Sequence, residues 1–540
     1  MKIAGVFGRM GPQEPGTYVR LMCRAQIACK WHSQDLFPFE AGAIGIVRTS
    51  ERYGEIPMIY HAAGGGFVAV AGVPTKSGRL RKTLARVVEV SVGEALNELA
   101  ALDGAYAALY WNPREKKMGL VTDFMGFQPV YICRGPHGVA IASEIKAFAA
   151  AGLVPLKPDP AGWGAFALFG HTLGAPTQLA GVERLRGVKL CYEPERNHLS
   201  VGCHWDWPER RPDTRLEDLS VGPILEMLKQ EIAAYQEYGV KEHSLLMSSG
   251  FDSRLLLCLL TETNIPLRTL SVIQPGHYFG AEGRLGYRAA RHFNVADSDL
   301  VRPLRKRQGT IGELRYLMMN EVSTPGRSLF ISKVAAQVGE RAGGVWEGFA
   351  PGYTIYQLTE ASMAAYLGRK RVFASSDLWK KAELVFKSRF VEEMKQRLLE
   401  EVEKERKLYG EDDYGVMRFI FRNRALNRTA TNPLKVYANS VIPFMPGLSR
   451  EFWNHMAAIP PLVLGDDRRY LFYRIFKEHY PKACRIPFCS EHGVYALDSK
   501  HSPLIVAINV LYGITYRWER RDRLPLIGKY LKRIPNRVGE

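Results

Sequence analysis

Residues 248–253, Ser-Ser-Gly-Phe-Asp-Ser, have the residue types and spacing of a phosphate-binding turn. They lie between the apolar runs 244–247 and 255–260, which predicts a strand, a small-residue turn and then a helix. Small side chains let backbone N–H groups approach an anion, and the positive end of the following helix dipole favours negative charge there. The sequence therefore predicts a nucleotide-binding loop made of Met247, Ser248, Ser249, Gly250, Phe251, Asp252 and Ser253.

Asp252 decides which kind of phosphate chemistry this loop favours. A carboxylate repels a bare phosphate, so its presence predicts a bridging Mg²⁺, which takes carboxylate and phosphate oxygens together. The loop lacks the Lys that follows the glycines of a Walker loop, which disfavours kinase-like or GTPase-like chemistry. The alternative that stays open is an ordinary strand-to-helix turn in which Ser or Asp caps the helix.

The segments that follow the loop predict the sheet that positions it. Residues 267–273 have the composition of a parallel strand, and residues 289–293 continue a helical pattern. Alternating strands and helices predict a doubly wound sheet, in which ligands bind beyond the carboxyl ends of the strands. Both residues 248–253 and Val272 to Gln274 are expected at that edge, so Val272 is a further predicted nucleotide-binding residue.

Several motifs in order resemble one superfamily. Residues 248–253 resemble the Ser-Gly-Gly-x-Asp-Ser loop of N-type ATP pyrophosphatases, with Ser249 in place of the first glycine. Stretches that begin at Asp103, Thr122 and Ala142 resemble class II glutamine amidotransferase domains in order and spacing. With residues 441–444, which resemble Arg-x-Pro-Phe-Leu-Asp, the whole chain looks like an asparagine synthetase homologue.

The resemblance implies an α/β architecture with two parts. The first is an N-terminal two-sheet sandwich of the N-terminal-nucleophile type, expected over residues 1–205. The second is a doubly wound, parallel-sheet ATP pyrophosphatase domain with added C-terminal helices, expected over residues 206–540. The boundary is placed in the proline-rich and charged segment that begins at Trp205.

The N-terminal half departs from the family at the glutaminase site. Members with glutaminase activity begin Met-Cys-Gly-Ile-Ala-Gly, whereas this chain begins Met-Lys-Ile-Ala-Gly, so Lys2 replaces the nucleophile. Residues 71–74, Ala-Gly-Val-Pro, stand where the family has the glutamine-holding Asn-Gly-Glu-Ile-Tyr-Asn. Glutamine hydrolysis is therefore not expected, and the sandwich is expected to serve packing.

The second half departs from the family at the metal site and at a late lysine. Residues 345–353 replace Ser-Gly-Glu-Gly-Ala-Asp-Glu without supplying its Asp, so Glu347 is the nearest carboxylate, while Gly348 still lets an adenylate approach the backbone. The family's late Lys corresponds to residues 485–488, where Arg485 is the cation. The predicted catalytic residues are thus Asp252, Glu347 and Arg485, and Asp252 is the predicted metal ligand.

A synthetase loop beside a disabled glutaminase resembles β-lactam synthetases and lasso-peptide cyclases, which use an amine within the substrate. The implied function is an ATP-dependent, AMP-forming amide ligase that activates a carboxylate, of a peptide or of a smaller substrate, as an acyl-adenylate for attack by an amine or ammonia. Two alternatives stay open. One is a noncatalytic nucleotide-binding or scaffold homologue, and the other is an asparagine synthetase that uses free ammonia.

Composition limits the partners and the compartment. The chain has 540 residues, 46% of them hydrophobic, and the N-terminal residues lack a secretory pattern, so a cytoplasmic protein is expected. Its eight cysteines lack paired metal-ligand spacing. The formal net charge is +18, and basic residues concentrate in residues 517–537, a candidate contact with a membrane surface or an acidic partner. Nucleic-acid binding is not expected because no reader motif accompanies the charge.

Overall fold

The computed structural model describes residues 1–48, 58–75, 77–215, 217–273, 281–301, 319–322, 343–350, 379, 382–461, 470–490 and 493–495. Gln274, residues 351–353 and the basic segment 517–537 lie outside the described residues. The expectation of a membrane or acidic-partner contact through that segment therefore stays a prediction.

Two antiparallel sheets form the N-terminal half. The first sheet runs, from edge to edge, through β10 (Val182–Leu185), β8 (Val130–Gly135), β9 (His137–Ala142), β1 (Lys2–Arg9), β3 (Gly42–Arg48) and β2 (Ser33–Phe39). The second runs through β12 (His198–Cys203), β11 (Val188–Glu193), β7 (Lys117–Thr122), β6 (Gly104–Asn112), β5 (Phe67–Pro74) and β4 (Ile59–His61).

The two sheets pack face to face, which confirms the expected sandwich. Phe7 and Ile46 of the first sheet share one buried cluster with Leu109 and Trp111 of the second. The inward positions alternate along each strand, because successive side chains point to opposite faces.

Helices cover both outer faces of the sandwich. α1 (Pro15–Gln26) and α4 (Lys146–Ala150) pack on the first sheet, whereas α2 (Ser77–Val87) and α3 (Val92–Ala100) pack on the second. α3 begins with a capping box in which Ser91 and Glu94 each bond the other's backbone N–H. A short 3₁₀ turn (Pro194–Arg196) joins β11 to β12, and α5 (Pro160–Phe169) packs toward the second half.

A parallel sheet forms the core of the second half. Its described strands, in spatial order, are β15 (Asp297–Val301), β14 (Leu267–Val272), β13 (Glu242–Leu246), β16 (Gly343–Trp346) and β17 (Ile442–Phe444). The preceding helix is α6 (Gly222–Gln236), and the connecting helices are α7 (Phe251–Thr261) and α8 (Ala281–His292). The chain moves from β13 outward to β15 and returns on the other side at β16, so the strand order reverses between β13 and β16.

Further helices complete this half. They are α9 (Ser388–Tyr409), α10 (Asp413–Ile420), a π-helix (Phe421–Ala430), α11 (Thr431–Tyr437), α12 (Arg450–Ala457), α13 (Tyr470–His479) and α14 (Pro481–Cys484), followed by the hairpin of β18 (Phe488–Ser490) and β19 (Gly493–Tyr495). Within the described residues, no helix combines the length and apolar character needed to span a bilayer.

One apolar core joins the two halves. Phe124 and Phe127, which follow β7, belong to the same buried cluster as Trp346 and Trp453 of the second half. Phe127 and Trp453 lie with their ring centroids 5.5 Å apart. The sandwich ends at Cys203 and α6 begins at Gly222, so the predicted boundary at 205/206 falls in the connection between them, where it stays a prediction.

Candidate functional site

The predicted loop connects β13 to α7 and lies at the point where the strand order reverses. Met247 is buried, and its N–H donates to the Leu270 carbonyl of β14 at 3.0 Å, which ties the loop to the sheet. Gly250 is the N-cap of α7 and contributes no side-chain cap. The serine-cap alternative therefore does not describe this helix start, although the Ser248 hydroxyl accepts from the Gly250 N–H at 3.1 Å.

Hydrogen bonds within the loop fix its shape. The hydroxyls of Ser248 and Ser253 lie 2.8 Å apart, and the Ser253 hydroxyl donates to the Ser248 carbonyl at 3.1 Å. Ser248, Gly250 and Asp252 are partly exposed, whereas Ser249 is fully buried. Alternate residues of the loop thus face the open side of the sheet edge.

Gly348 brings the carboxyl end of β16 against this loop. A Cβ atom built on Gly348 would lie 3.0 Å from the Asp252 Cβ and 3.3 Å from the Asp252 carbonyl oxygen. The structure therefore places Gly348 beside Asp252, across the gap between β13 and β16. Ligands of doubly wound sheets bind at such a gap.

Glu347 precedes Gly348 and is held from two sides. Its N–H donates to the Phe444 carbonyl at 2.9 Å, continuing the pairing of β16 with β17. Its Oε2 accepts a hydrogen bond from the Tyr437 hydroxyl at 3.1 Å, and Tyr437 is fully buried at the end of α11. Glu347 is itself partly exposed.

Val272 is the last residue of β14, the strand next to β13. Helix α8 packs closely against the Val272 backbone. A Cβ on Gly283 of α8 would lie 2.2 Å from the Val272 carbonyl oxygen, which only glycine permits. The structure thus brings Val272 to the same sheet edge as residues 247–253.

Residues 483–489 form a further wall beside the loop. The Cys489 N–H donates to the Ser249 carbonyl at 3.1 Å, and the rings of Phe488 and Phe251 stack with centroids 4.6 Å apart. Arg254, in the first turn of α7, also contacts this segment. Its guanidinium donates to the carbonyls of Ala483, Ile486 and Pro487.

Arg254 and Tyr437 were not among the predicted residues. The only sequence signal for Arg254 is a single charge at the start of the apolar run 255–260. Burial lowers the pKa of Arg254 to about 10, and among the described residues no carboxylate forms an ion pair with it.

Arg485 belongs to this wall, but its side chain is exposed. It lies within electrostatic reach of His292 at the end of α8: burial lowers the pKa of His292, and the charges of Lys482 and Arg485 lower it further. Arg485 is therefore brought to the segment that contacts the loop, while its predicted catalytic role stays a prediction.

The carboxylates at this edge fit a hard divalent cation that is shared with phosphate. In the described part of the chain, no group of three or more His, Cys, Asp or Glu side chains could hold a metal ion by itself. Mg²⁺ commonly takes only one or two protein carboxylates and completes its shell with water and phosphate. Asp252 suits that kind of site. Glu347 is the second candidate carboxylate, because it directly precedes Gly348, which lies beside Asp252.

In the N-terminal sandwich, Lys2 is locked in a buried ion pair. Its Nζ lies 2.8 Å from Glu144 Oε1 and donates to the Gln26 carbonyl at 2.8 Å. Burial lowers the pKa of Lys2, and Glu144 opposes that shift. The side chain at the nucleophile position of the amidotransferase resemblance is thus a structural cation.

A second buried pair joins this region to α11. Glu321 accepts the N–H groups of Ile145 and Lys146 at 2.9 and 2.6 Å and pairs with Lys435 Nζ at 3.1 Å. Burial alone would raise the pKa of Glu321, but Lys435 and Lys146 hold it below its usual range. Lys435 lies two residues before Tyr437, so the same helix contacts the sandwich and holds Glu347.

A separate cavity of about 780 Å³ lies between residues 208–211, α6 and α12. None of its lining residues belongs to the loop or to its walls.

Residues 81–150, from within α2 to the end of α4, match the family described as "Glutamine amidotransferase domain". The part of the sandwich that contains β6 to β9 is therefore amidotransferase-like. No curated protein sequence matches this chain significantly.

Two solved structures resemble part of the chain. One is glutamine phosphoribosylpyrophosphate amidotransferase from B. subtilis complexed with ADP and GMP, at 17% identity and a TM-score of 0.27, covering 46% of this chain and 61% of that one. The other is described as the allosteric regulatory enzyme of purine biosynthesis, at 16% identity and a TM-score of 0.27, covering 51% of this chain and 66% of that one. The chain thus spans less than two thirds of either relative, and at this level the likeness carries no argument about activity.

Proposed function

We propose that this protein is an ATP-dependent, AMP-forming amide ligase of the asparagine synthetase kind that works without hydrolysing glutamine. In the proposed reaction a substrate carboxylate attacks the α-phosphorus of ATP, and pyrophosphate leaves. An amine then attacks the acyl carbon of the resulting acyl-adenylate, and AMP leaves. The observation that carries the proposal is the contact of Gly348 with Asp252 at the point where the strand order reverses.

Each predicted residue has a proposed task in that reaction. Backbone groups of residues 247–253, with Val272 and Gly348 at the same edge, would hold the nucleotide. Asp252 and Glu347 would hold Mg²⁺, which supplies charge neutralisation at the phosphates when bound. Arg485 would lie toward the leaving pyrophosphate, where a fixed cation favours the charge that develops.

The amine source is proposed from the N-terminal half. Lys2 is buried and paired with Glu144, so neither a thiol nor a free nucleophile stands at the position used for glutamine hydrolysis. An amine of the substrate itself, or free ammonia, would take its place. The substrate carboxylate is proposed to belong to a small molecule or a peptide.

One observation favours a noncatalytic nucleotide-binding or scaffold homologue. The Gly250 N–H, which a phosphate would use, already donates to the Ser248 hydroxyl at 3.1 Å. A phosphate would have to displace that hydroxyl. Such a protein would bind ATP weakly and catalyse no exchange.

Carboxylate-dependent exchange of labelled pyrophosphate into ATP separates the two functions. We expect exchange with at least one carboxylate from a panel of amino acids and short peptides, and its loss in Asp252→Asn. The matched control is Asp413→Asn, because Asp413 also lies in the first turn of a helix, α10, away from the loop. If wild-type protein binds no adenine nucleotide by calorimetry, the ligase proposal is wrong.

A further inference from the structure

Arg254 is a buried cation whose bonds all run to backbone carbonyls of one distant segment. Its Nη1 lies 3.1 Å from the Ala483 oxygen, and its Nη2 lies 3.1 Å from the Pro487 oxygen. The guanidinium carbon also stands 4.0 Å from the centroid of the Phe488 ring. Arg suits this position because its planar fork reaches several acceptors at once and stacks on an aromatic face.

The segment that Arg254 holds is the one that contacts the phosphate loop. The Cys489 N–H donates to the Ser249 carbonyl, and the Phe488 ring contacts both the Arg254 guanidinium and the ring of Phe251, the first residue of α7. The carbonyl of Ala483 lies in the single turn of α14, and the carbonyls of Ile486 and Pro487 follow shortly after that turn. A single side chain thus joins α7, α14 and the wall of the site.

We propose that Arg254 is a positioning residue that holds residues 483–489 against the loop of residues 248–253 and so sets one wall of the nucleotide site. The proposal rests on the function proposed above. Arg254 acts through the segment and does not touch the nucleotide.

The alternative is that Arg254 only stabilises the fold. Arg184 is a matched control for that alternative, because it is also buried and bonds the Gly126 carbonyl and the Asn427 and Thr431 side chains. Arg184 lies at the interface between the two halves, away from the loop. Arg254→Met and Arg184→Met remove comparable buried guanidinium groups.

Two readouts on the full-length protein test the proposal. The first is amide hydrogen exchange of the peptide that contains residues 483–489, measured without nucleotide. We expect this exchange to rise about tenfold in Arg254→Met and less in Arg254→Lys, which keeps the charge but loses the fork, and to stay unchanged in Arg184→Met. The second is the dissociation constant of ATP with Mg²⁺ from calorimetry, which we expect to rise about tenfold in Arg254→Met and to be partly restored in Arg254→Lys.

The outcomes separate this proposal from the proposed function. If exchange of residues 483–489 is unchanged in Arg254→Met, Arg254 does not hold the segment. If exchange rises while ATP binds as in the wild type, Arg254 is structural only. If the wild type binds no ATP, the positioning role falls together with the ligase, whatever exchange shows. Should Arg254→Met fail to fold, Phe488→Leu removes the ring beneath the guanidinium, and unchanged values of both readouts in that variant overturn the proposal.

Discussion

A Cβ atom added to Gly348 would stand 3.0 Å from the Cβ of Asp252. Residue 348 follows β16 and residue 252 lies in the first turn of α7, so the contact spans the gap between two neighbouring parallel strands. Few real Cβ contacts are this short. The approach therefore makes glycine the residue that fits position 348.

Gly348→Ala is expected to displace Asp252. Overpacking of this kind costs roughly 1–3 kcal/mol, and here the strain falls on the proposed metal ligand. We expect a modestly lower free energy of unfolding and at least about a tenfold loss of pyrophosphate exchange. Gly93→Ala is the control, because a Cβ at Gly93 meets nothing within 4 Å. Equal exchange in both variants would contradict the placement of Asp252 in the site.

Tyr437→Phe removes the hydroxyl that donates to Glu347 Oε2 at 3.1 Å. A hydrogen bond to a charged group contributes about 1.5–3 kcal/mol, so the carboxylate would lose its fixed orientation. We expect pyrophosphate exchange to fall about tenfold or more. Tyr235→Phe, which removes a buried hydroxyl bonded to the Met445 carbonyl at 3.3 Å, is expected to keep exchange at the wild-type level. A similar loss in both variants would argue against a role for Glu347.

Lys2→Met leaves Glu144 without its closest buried cation. Removing one partner of a buried ion pair costs roughly 3–5 kcal/mol, and Lys146, 2.5 Å from the other Glu144 oxygen, is expected to reduce that cost. We expect the free energy of unfolding in urea to fall by about 2–3 kcal/mol. Lys116→Met removes an exposed lysine that pairs with Glu40 and Glu195, and is expected to change stability by less than about 1 kcal/mol. Equal effects would show that Lys2 is not a structural cation.

His32 makes stability depend on pH. Its Nδ1 accepts the Ala28 N–H at 3.2 Å, and its Nε2–H donates to the Asn439 carbonyl at 3.0 Å, so the neutral ring satisfies both partners. Burial lowers the pKa of His32 to about 4, although the Asn439 carbonyl opposes that shift. Between about pH 6.5 and 4, the unfolded chain takes up the proton and the folded chain does not, so stability falls as the pH falls.

The expected loss across this pH range is up to about 3 kcal/mol. Urea unfolding at several pH values measures it, and His32→Gln is expected to show a smaller dependence on pH than the wild type. An identical slope for the two proteins would contradict a buried, neutral His32.

The order of strands and helices around the loop could be predicted from local patterns. Residues 244–247 and 267–273 were predicted as strands, and the structure has β13 at Glu242–Leu246 and β14 at Leu267–Val272. Apolar runs bounded by small or polar residues carry this information locally. The sequence predicted a doubly wound sheet, whereas the place of β16 beside β13, which accounts for the position of Gly348, is known from the structure.

The partners of the site residues could not be predicted in the same way. Arg254 bonds backbone carbonyls some 230 residues further along the chain. Every residue type has a backbone carbonyl, so the sequence does not indicate which carbonyls Arg254 would bond. Tyr437 holds Glu347 from 90 residues away. The presence of Lys in place of Cys at position 2 was evident from the sequence, whereas the ion pair of Lys2 with Glu144 depends on how β1 and β9 align.

The apolar cluster that contains Phe127 and Trp453 draws side chains from both halves of the chain. If the polypeptide were divided at 205/206, each fragment would expose to water the apolar surface that the other fragment covers in the intact chain. Fragments expressed separately are therefore expected to aggregate, and to stay in solution only when the two are co-expressed. Heating the intact chain should melt sandwich and parallel sheet in a single transition.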